Sequence, residues 1–423
     1  MKEDIRIARG PNGLCILSDR MTGVRSATLG FFCRLGARHE PSELNGMTHF
    51  IEHTVFKGTS RRSPLDIAIE QDRLGGTLDA FTTHEETGFV IKVIDDQIER
   101  AFDLLADMWL NPDFDEKELA NERNVIIEEM KMVEDSPEEY LGEIFGEAFF
   151  PGHPLGLNIV GTPETVERFD HTRTKAYHQQ AFSPSNMVIT AAGNVHHSQI
   201  EDLTARYFDM GSPGQGPELR TTAPNLAAPI IIRQNKNLEQ AHLLIATPFV
   251  SATDESRYAA DLLANVIGGS NSSRLWQKIR EERGLAYNVG ASTIMFRDCG
   301  YFSIFAATSP EQTGDVVDIA IQELREVVKD GITTNELDLA KQQARASILL
   351  SMEDSASRAG ALANLEMTFG RQISVEETLE RIEAVSVEET TELSREFFKT
   401  ENVAFAALGD LAKLKVDRSR LDV

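Results

Sequence analysis

The sequence predicts an α+β protein made of two homologous halves, each a mainly antiparallel sheet packed with helices. Three observations carry this. At 423 residues the chain is too long for one ordinary hydrophobic core, so two or more domains are expected. Each half mixes alternating strands with long amphipathic helices, such as 316–330 and 335–352, which is not the pattern of a doubly wound sheet. The strand read over 186–194 (Asn-Met-Val-Ile-Thr-Ala-Ala-Gly-Asn) returns near the end over 402–410 (Asn-Val-Ala-Phe-Ala-Ala-Leu-Gly-Asp). Between the halves, Gly211-Ser212-Pro213-Gly214-Gln215-Gly216-Pro217 through Pro224 to Pro229 has linker composition. The domains are therefore expected at 1–211 and 229–423, joined by a linker over 212–228.

The first informative element is the segment around Met47–Phe56, with Gly46 and Gly58 as its boundaries. It contains His49-Phe50-Ile51-Glu52-His53, and on a helix positions i, i+3 and i+4 share one face. Two neutral imidazoles four apart can ligate one Zn²⁺, and the carboxylate between them can reach a metal-bound water. Met47, Phe50, Ile51, Val55 and Phe56 make the segment largely apolar, so the polar trio needs a partner to offset burial. Next, Gly75-Gly76 breaks the chain before a strand containing Leu78, Asp79, Ala80, Phe81 and Thr82, and 87–93 follows as a second strand. Residues 121–131 then read as a helix, with Asp113 and Asp115 as N-terminal signals. Catalytic zinc usually takes a third protein ligand. On this helix Glu122 and Glu129 share a face, and Glu128 lies about 100° around from Glu129; composition alone does not choose among the three.

Composition narrows the function. Hydrophobic content of 41% and charged content of 26% describe a soluble globular chain, and no run approaches the roughly eighteen apolar residues of a membrane helix. A net charge of −25 with no basic stripe argues against a nucleic-acid partner. The start, Met1-Lys2-Glu3-Asp4-Ile5, has no apolar signal core. Cys15, Cys33 and Cys299 lack metal spacing and read as thiols in a reducing compartment, so the cytoplasm is expected.

On these residues the chain resembles the pitrilysin (insulinase) family of zinc peptidases, closest to the short two-domain branch that includes mitochondrial processing peptidase and its bacterial relatives. The resemblance rests on Gly46-Met47-Thr48-His49-Phe50-Ile51-Glu52-His53 with Phe56-Lys57-Gly58-Thr59, on Gly75-Gly76-Thr77-Leu78-Asp79-Ala80-Phe81-Thr82, and on Glu122-Arg123-Asn124-Val125-Ile126 with Glu129-Met130. It spans essentially the whole chain. It implies two α/β-roll domains forming half of a clamshell, one Zn²⁺ per subunit on His49, His53 and Glu129, Glu52 as general base, and Glu122 as an acidic group supporting the site. It further implies that residues 78–82 form an edge strand beside the zinc, to which an extended peptide can add. Where relatives usually carry Asn, this chain has Asp79.

The second half differs in kind. The segment 255–268 stands in the place of the zinc helix but has no His, and Ser347 stands where Glu129 would be. Arg280 and Tyr287 keep the spacing of the family's substrate-binding, transition-state-stabilising pair, with Arg274 and Arg283 as weaker candidates. The expected activity is a zinc-dependent endopeptidase acting on peptides or unfolded segments held in a closed chamber. The short branch forms dimers, so a homodimer is expected, with a heterodimer with an inactive paralogue as the other arrangement. No nucleic-acid or membrane partner is expected. Two other function classes stand beside this one: a non-catalytic core or scaffold subunit of the same family, and a small-molecule zinc hydrolase.

Overall fold

The structure is a computed structural model describing residues 3–208 and 222–423. Of the expected linker, residues 212–221 lie outside the described residues, and 222–229 carry no regular secondary structure. The first sheet holds β1 (Ile5–Arg9), β2 (Cys15–Arg20), β3 (Ser26–Cys33), β4 (Thr77–Thr82), β5 (Thr87–Ile94) and β6 (Met187–Gly193) in the order β1-β2-β6-β3-β5-β4. The second holds β7 (Ile230–Gln234), β8 (Ala241–Phe249), β9 (Ala286–Met295), β10 (Gly300–Thr308) and β11 (Ala404–Gly409) in the order β7-β11-β8-β10-β9.

The duplication is explicit in this topology. Five successive strands in each half are laid down first-fifth-second-fourth-third, which pairs β2 with β7, β6 with β11, β3 with β8, β5 with β10 and β4 with β9. Among the described residues β2/β6 and β7/β11 are the parallel pairs, and the remaining ladders are antiparallel. Both β4 and β9 are edge strands, so the edge position expected for residues 78–82 is observed.

The compact units are not contiguous in sequence. One comprises the described residues of Met1–Lys131, Leu157–Thr221 and Leu349–Ser374, the other those of Met132–Gly156, Thr222–Ile348 and Val375–Val423. Each half of the chain thus gives a helix to the other unit, which departs from contiguous domains at 1–211 and 229–423. Helical periodicity shows that a helix has an apolar face but does not say which sheet will cover it.

In the first unit, Leu29 and Phe31 of β3 face a core shared with Phe102 and Trp109 of helix Ile98–Leu110; the Phe31 ring lies 5.1 Å from that of Phe102 and 6.0 Å from that of Trp109. Phe32 of the same strand points the other way, into a cluster with Cys15, Leu17, Val188 and the Leu362, Ala363 and Met367 of helix Ser355–Phe369. Burial on both faces explains why β3 and β6 read as largely apolar runs. That helix is also held by polar contacts. Arg358 Nη1 donates to Asp19 Oδ2 at 2.6 Å, Arg9 grips both oxygens of Glu366 at 2.5 and 2.8 Å, and the Ser355 and Thr28 hydroxyls lie 2.8 Å apart.

The equivalent helix in the second unit, Pro137–Phe149, docks on aromatic rings instead. Phe145 and Phe149 stack at 4.8 Å, and Phe149 meets Tyr301 of β10 edge-on at 5.3 Å.

Candidate metal centre

The motif folds as a two-turn helix, Met47–Thr54, followed by a tight turn over Val55–Lys57 and then Gly58, as the flanking glycines led one to expect. Met47, Phe50 and Ile51 are fully buried in the first unit's core. Their burial sends His49, Glu52 and His53 to the opposite side. The second contributor is helix Glu116–Asp135, whose first turn is held by Asp115 Oδ1 accepting from the backbone N–H of Lys117 (3.0 Å) and Glu118 (3.3 Å).

Glu129 and the two histidines converge. Glu129 Oε1 lies 3.7 Å from His49 Nε2, and its Oε2 lies 3.6 Å from His53 Nε2. One ligand atom from each of the three residues falls within 4.8 Å of the others. Ligands about 2.0–2.1 Å from a tetrahedral ion sit about 3.4 Å apart, so the donor set and its spacing fit Zn²⁺. Glu122, two turns earlier on the same helix, is not a ligand in this arrangement. Its Oε2 lies 3.3 Å from His53 Nδ1 and its Oε1 takes an ion pair from Lys57 Nζ at 2.8 Å. That leaves Nε2 of His53 free to face Glu129, the orienting role a carboxylate plays behind a ligating imidazole. Glu128 points away and pairs with Lys131 at 2.7 Å.

The two histidines differ in their electrostatics. Burial, helped by the neighbouring His53, pushes His49 down to about 3, so its imidazole is neutral, the form a metal requires. For His53 burial works downward, but the Glu122 hydrogen bond and the charges of Glu129, Glu52 and Glu122 outweigh it and raise the group. Burial raises Glu52, opposed by a hydrogen bond from Thr82 and the nearby His53. Glu122 is lowered overall, because His53 and Lys57 outweigh its burial. His49 Nδ1 is buried with no hydrogen-bond partner.

Edge strand β4 runs beside this cluster. Thr82 Oγ1 donates to Glu52 Oε2 at 2.7 Å, tying the carboxylate to the strand's end. Along β4, Leu78 is buried and pairs with Ile91, Ala80 packs on the core opposite Phe89, Asp79 is exposed, and the Phe81 ring stands 6.2 Å from that of Phe32. Gly76 lets this strand begin hard against the carbonyl of Lys92, where any Cβ would collide.

Arg280 and Tyr287 belong to the second unit and are in contact there. The guanidinium lies over the Tyr287 ring at 4.4 Å and over that of Trp276 at 4.1 Å, and Arg280 Nη1 donates to the Tyr287 carbonyl at 2.9 Å. Tyr287 is 77% exposed at the start of edge strand β9. Arg274 has a structural partner instead, a bidentate pair with Glu336 at 2.7 and 2.8 Å, and Arg283 is exposed. The second unit also keeps a trace of the first. Helix Arg257–Ala264 carries Asp261, which accepts a hydrogen bond from Thr293 of β9 much as Glu52 does from Thr82 of β4. Tyr258 and Leu262 flank Asp261 at the spacings that His49 and His53 hold about Glu52.

Sequence reasoning missed Trp276, Asp261, the role of Lys57, and Glu40, whose carboxylate accepts two backbone N–H groups of the motif helix. Trp276 stands four residues before Arg280 on a helical turn, a spacing that could have suggested the stack. Lys57 was visible within the motif, but nothing in sequence says that it reaches Glu122.

Comparison with known proteins agrees in family and fold. The family model described as insulinase (peptidase family M16) matches residues 15–163, and that of the peptidase M16 inactive domain matches 168–344. An uncharacterized zinc protease of Bacillus subtilis is 36% identical over 397 residues, covering 94% of this chain and 96% of that protein. One from Streptomyces coelicolor is 35% identical over 392 residues, covering 91% and 85%. Among solved structures, a protease from Helicobacter pylori superposes with a TM-score of 0.88 at 19% identity over 97% of this chain and 100% of the other. A peptidase M16 inactive domain from Pseudomonas fluorescens gives 0.90 at 19% over 98% and 100%. At that identity the two structures speak for the fold alone.

Proposed function

The chain belongs to the insulinase (pitrilysin, M16) peptidase family as a short two-domain member, and from that premise we propose that it is a zinc-dependent endopeptidase acting on peptides or unfolded segments. The observation that carries this is the convergence of His49, His53 and Glu129 beside Glu52, with Glu52 held by the edge strand through Thr82.

His49, His53 and Glu129 would hold one Zn²⁺ per subunit, and the bound ion would supply Lewis-acid polarisation of the scissile carbonyl and lower the pKa of water. Glu122 and Lys57 orient His53. Glu52, desolvated and hydrogen-bonded by Thr82, takes a proton from the attacking water and returns it to the leaving amine. The free edge of β4, from Leu78 to Thr82, receives the peptide as an added strand, whose main-chain hydrogen bonds discriminate little between side chains.

Arg280 and Tyr287 serve as donors to substrate and developing oxyanion. The exposed Tyr287 hydroxyl and the stacked, pre-oriented guanidinium support that role. In this reading the protein is a homodimer enclosing a chamber, and the Arg280 and Tyr287 of one subunit complete the zinc site of its partner. Among the described residues no helix is long and apolar enough to cross a membrane. The three cysteines are free, which supports a cytoplasmic setting.

Glu52→Gln tests the assignment. Zinc content should stay at the wild-type level, while cleavage of a quenched peptide library falls by about 10²–10⁴-fold. Near-normal turnover in the zinc-loaded variant would exclude Glu52 as the base. For the composite site, mixed dimers of Glu52→Gln and Tyr287→Phe subunits should regain one working site, and no recovery in verified mixed dimers removes the trans arrangement.

A further inference from the structure

The motif helix cannot hold its first turn in the usual way. An N-cap side chain normally accepts one of the unpaired N–H groups at a helix start. Here the N-cap is Gly46, with φ 93°, and a Cβ at that position would sit 2.6 Å from the Val160 carbonyl oxygen and 2.8 Å from the Gly161 Cα. No larger residue fits, so the cap must come from elsewhere.

It comes from Glu40, six residues upstream. Glu40 Oε2 accepts the Gly46 N–H at 2.8 Å and Oε1 accepts the Thr48 N–H at 2.6 Å. The glutamate is 6% exposed, so little water is at hand to replace it. The Thr48 hydroxyl in turn lies 3.1 Å from the hydroxyl of Tyr177, on helix His171–Ala181. Thr48 directly precedes His49, and the whole helix is two turns long, so a shift of its first turn is a shift of the His49 ring relative to Glu129.

We propose that Glu40 is a positioning residue for the metal centre: by binding the Gly46 and Thr48 N–H groups it fixes the first turn of the motif helix and, through it, the direction of the His49 ring. The proposal rests on the zinc reading of this site. A carboxyl group suits the task because its two oxygens accept the Gly46 and Thr48 N–H groups at the same time. A cap that serves only stability exists in the same unit for comparison. Ser63 Oγ accepts the Asp66 N–H at 3.2 Å at the start of helix Pro64–Leu74, which carries none of the ligands.

The experiment uses the full chain as wild type, Glu40→Gln and Ser63→Ala. It measures the melting temperature of the metal-free form, the zinc Kd by competition with a chromophoric chelator, and the visible spectrum of the Co²⁺-substituted protein. Glu40→Gln should weaken zinc binding by about 10–100-fold, the range for groups that orient ligands, and alter the Co²⁺ bands. Ser63→Ala should lower the melting temperature and leave both metal readouts unchanged. A folded Glu40→Gln with wild-type zinc affinity and cobalt spectrum overturns the proposal, as does a loss no greater than that of Ser63→Ala. If Glu40→Gln does not fold, amide hydrogen exchange of the wild-type chain decides: slow exchange at Gly46 and Thr48 supports the cap, and exchange as fast as in exposed loops refutes it. A wild-type chain without zinc affinity refutes the metallopeptidase reading itself, which separates the two failures.

Discussion

Replacing Asp19 by Asn should destabilise the first unit severely. The Asp19 and Arg358 side chains are 3% and 2% exposed and 2.6 Å apart, joining β2 to helix Ser355–Phe369. Asp19 also accepts the Asp4 N–H at 3.0 Å, which an Asn oxygen can continue to do. What Asn removes is the charge. Arg358 would keep only its Nε bond to the Met352 carbonyl at 2.7 Å, with Nη2 already lacking a partner. Removing one member of a buried pair costs about 3–5 kcal/mol, because the remaining charge stays desolvated. In a unit of this size that is a fall in melting temperature of roughly 6–20 °C. Arg358→Met on its own strands Asp19 and should cost a similar amount. The double variant removes both charges and should return to within about 2 kcal/mol of wild type. Urea unfolding of chelator-treated protein measures this without a contribution from bound metal. A loss under 1 kcal/mol for Asp19→Asn, or a double variant that loses the sum of the singles, would show that the pair does not hold the helix.

Glu122→Gln should leave the fold intact and weaken zinc binding by about 10–100-fold, read by chelator competition, since it loosens the hold on His53 Nδ1. Phe149→Ala should cost about 3–5 kcal/mol in urea unfolding, because the ring is fully buried, whereas Leu65→Ser, at 68% exposure, should stay within about 0.5 kcal/mol. Burial opposes ionisation of Glu336, but Arg274 and the Thr333 donors outweigh it and hold its carboxyl down to about 2. Because the folded value is depressed, the stabilisation is complete above the ordinary 4.5 and fades as pH falls towards 2. Discounted for partial exposure, the gap between wild type and Glu336→Gln should be about 1–2 kcal/mol at pH 6, shrink below pH 4.5 and close as pH falls through about 2; a gap independent of pH would contradict the assignment.

The motif helix was legible because its apolar residues and its polar trio occupy opposite faces, and the same periodicity that buries Phe50 exposes His49 and His53 to each other. The doubled topology was legible from one repeated strand. Choosing Glu129 over Glu122 was not a matter of periodicity, since both share a face. The choice came from family spacing, and the structure separates them by which imidazole nitrogen each one meets. Glu40 was hidden because it lies in irregular chain, although a glycine N-cap is itself a hint that an outside acceptor is needed. The crossing of helices Pro137–Phe149 and Ser355–Phe369 into each other's units was beyond reach, because amphipathicity specifies a buried face and leaves its partner open.

That crossing has a consequence for biosynthesis. A ribosome finishes β6 at Gly193, the last strand of the first sheet, but the helix that covers Cys15, Leu17, Phe32 and Val188 emerges roughly 180 residues later. At about 5–20 residues per second the nascent chain carries that apolar sheet face, and an unpaired Asp19, for roughly 10–40 seconds. Until residue 369 is made, the first half lacks the helix that covers this face of its sheet.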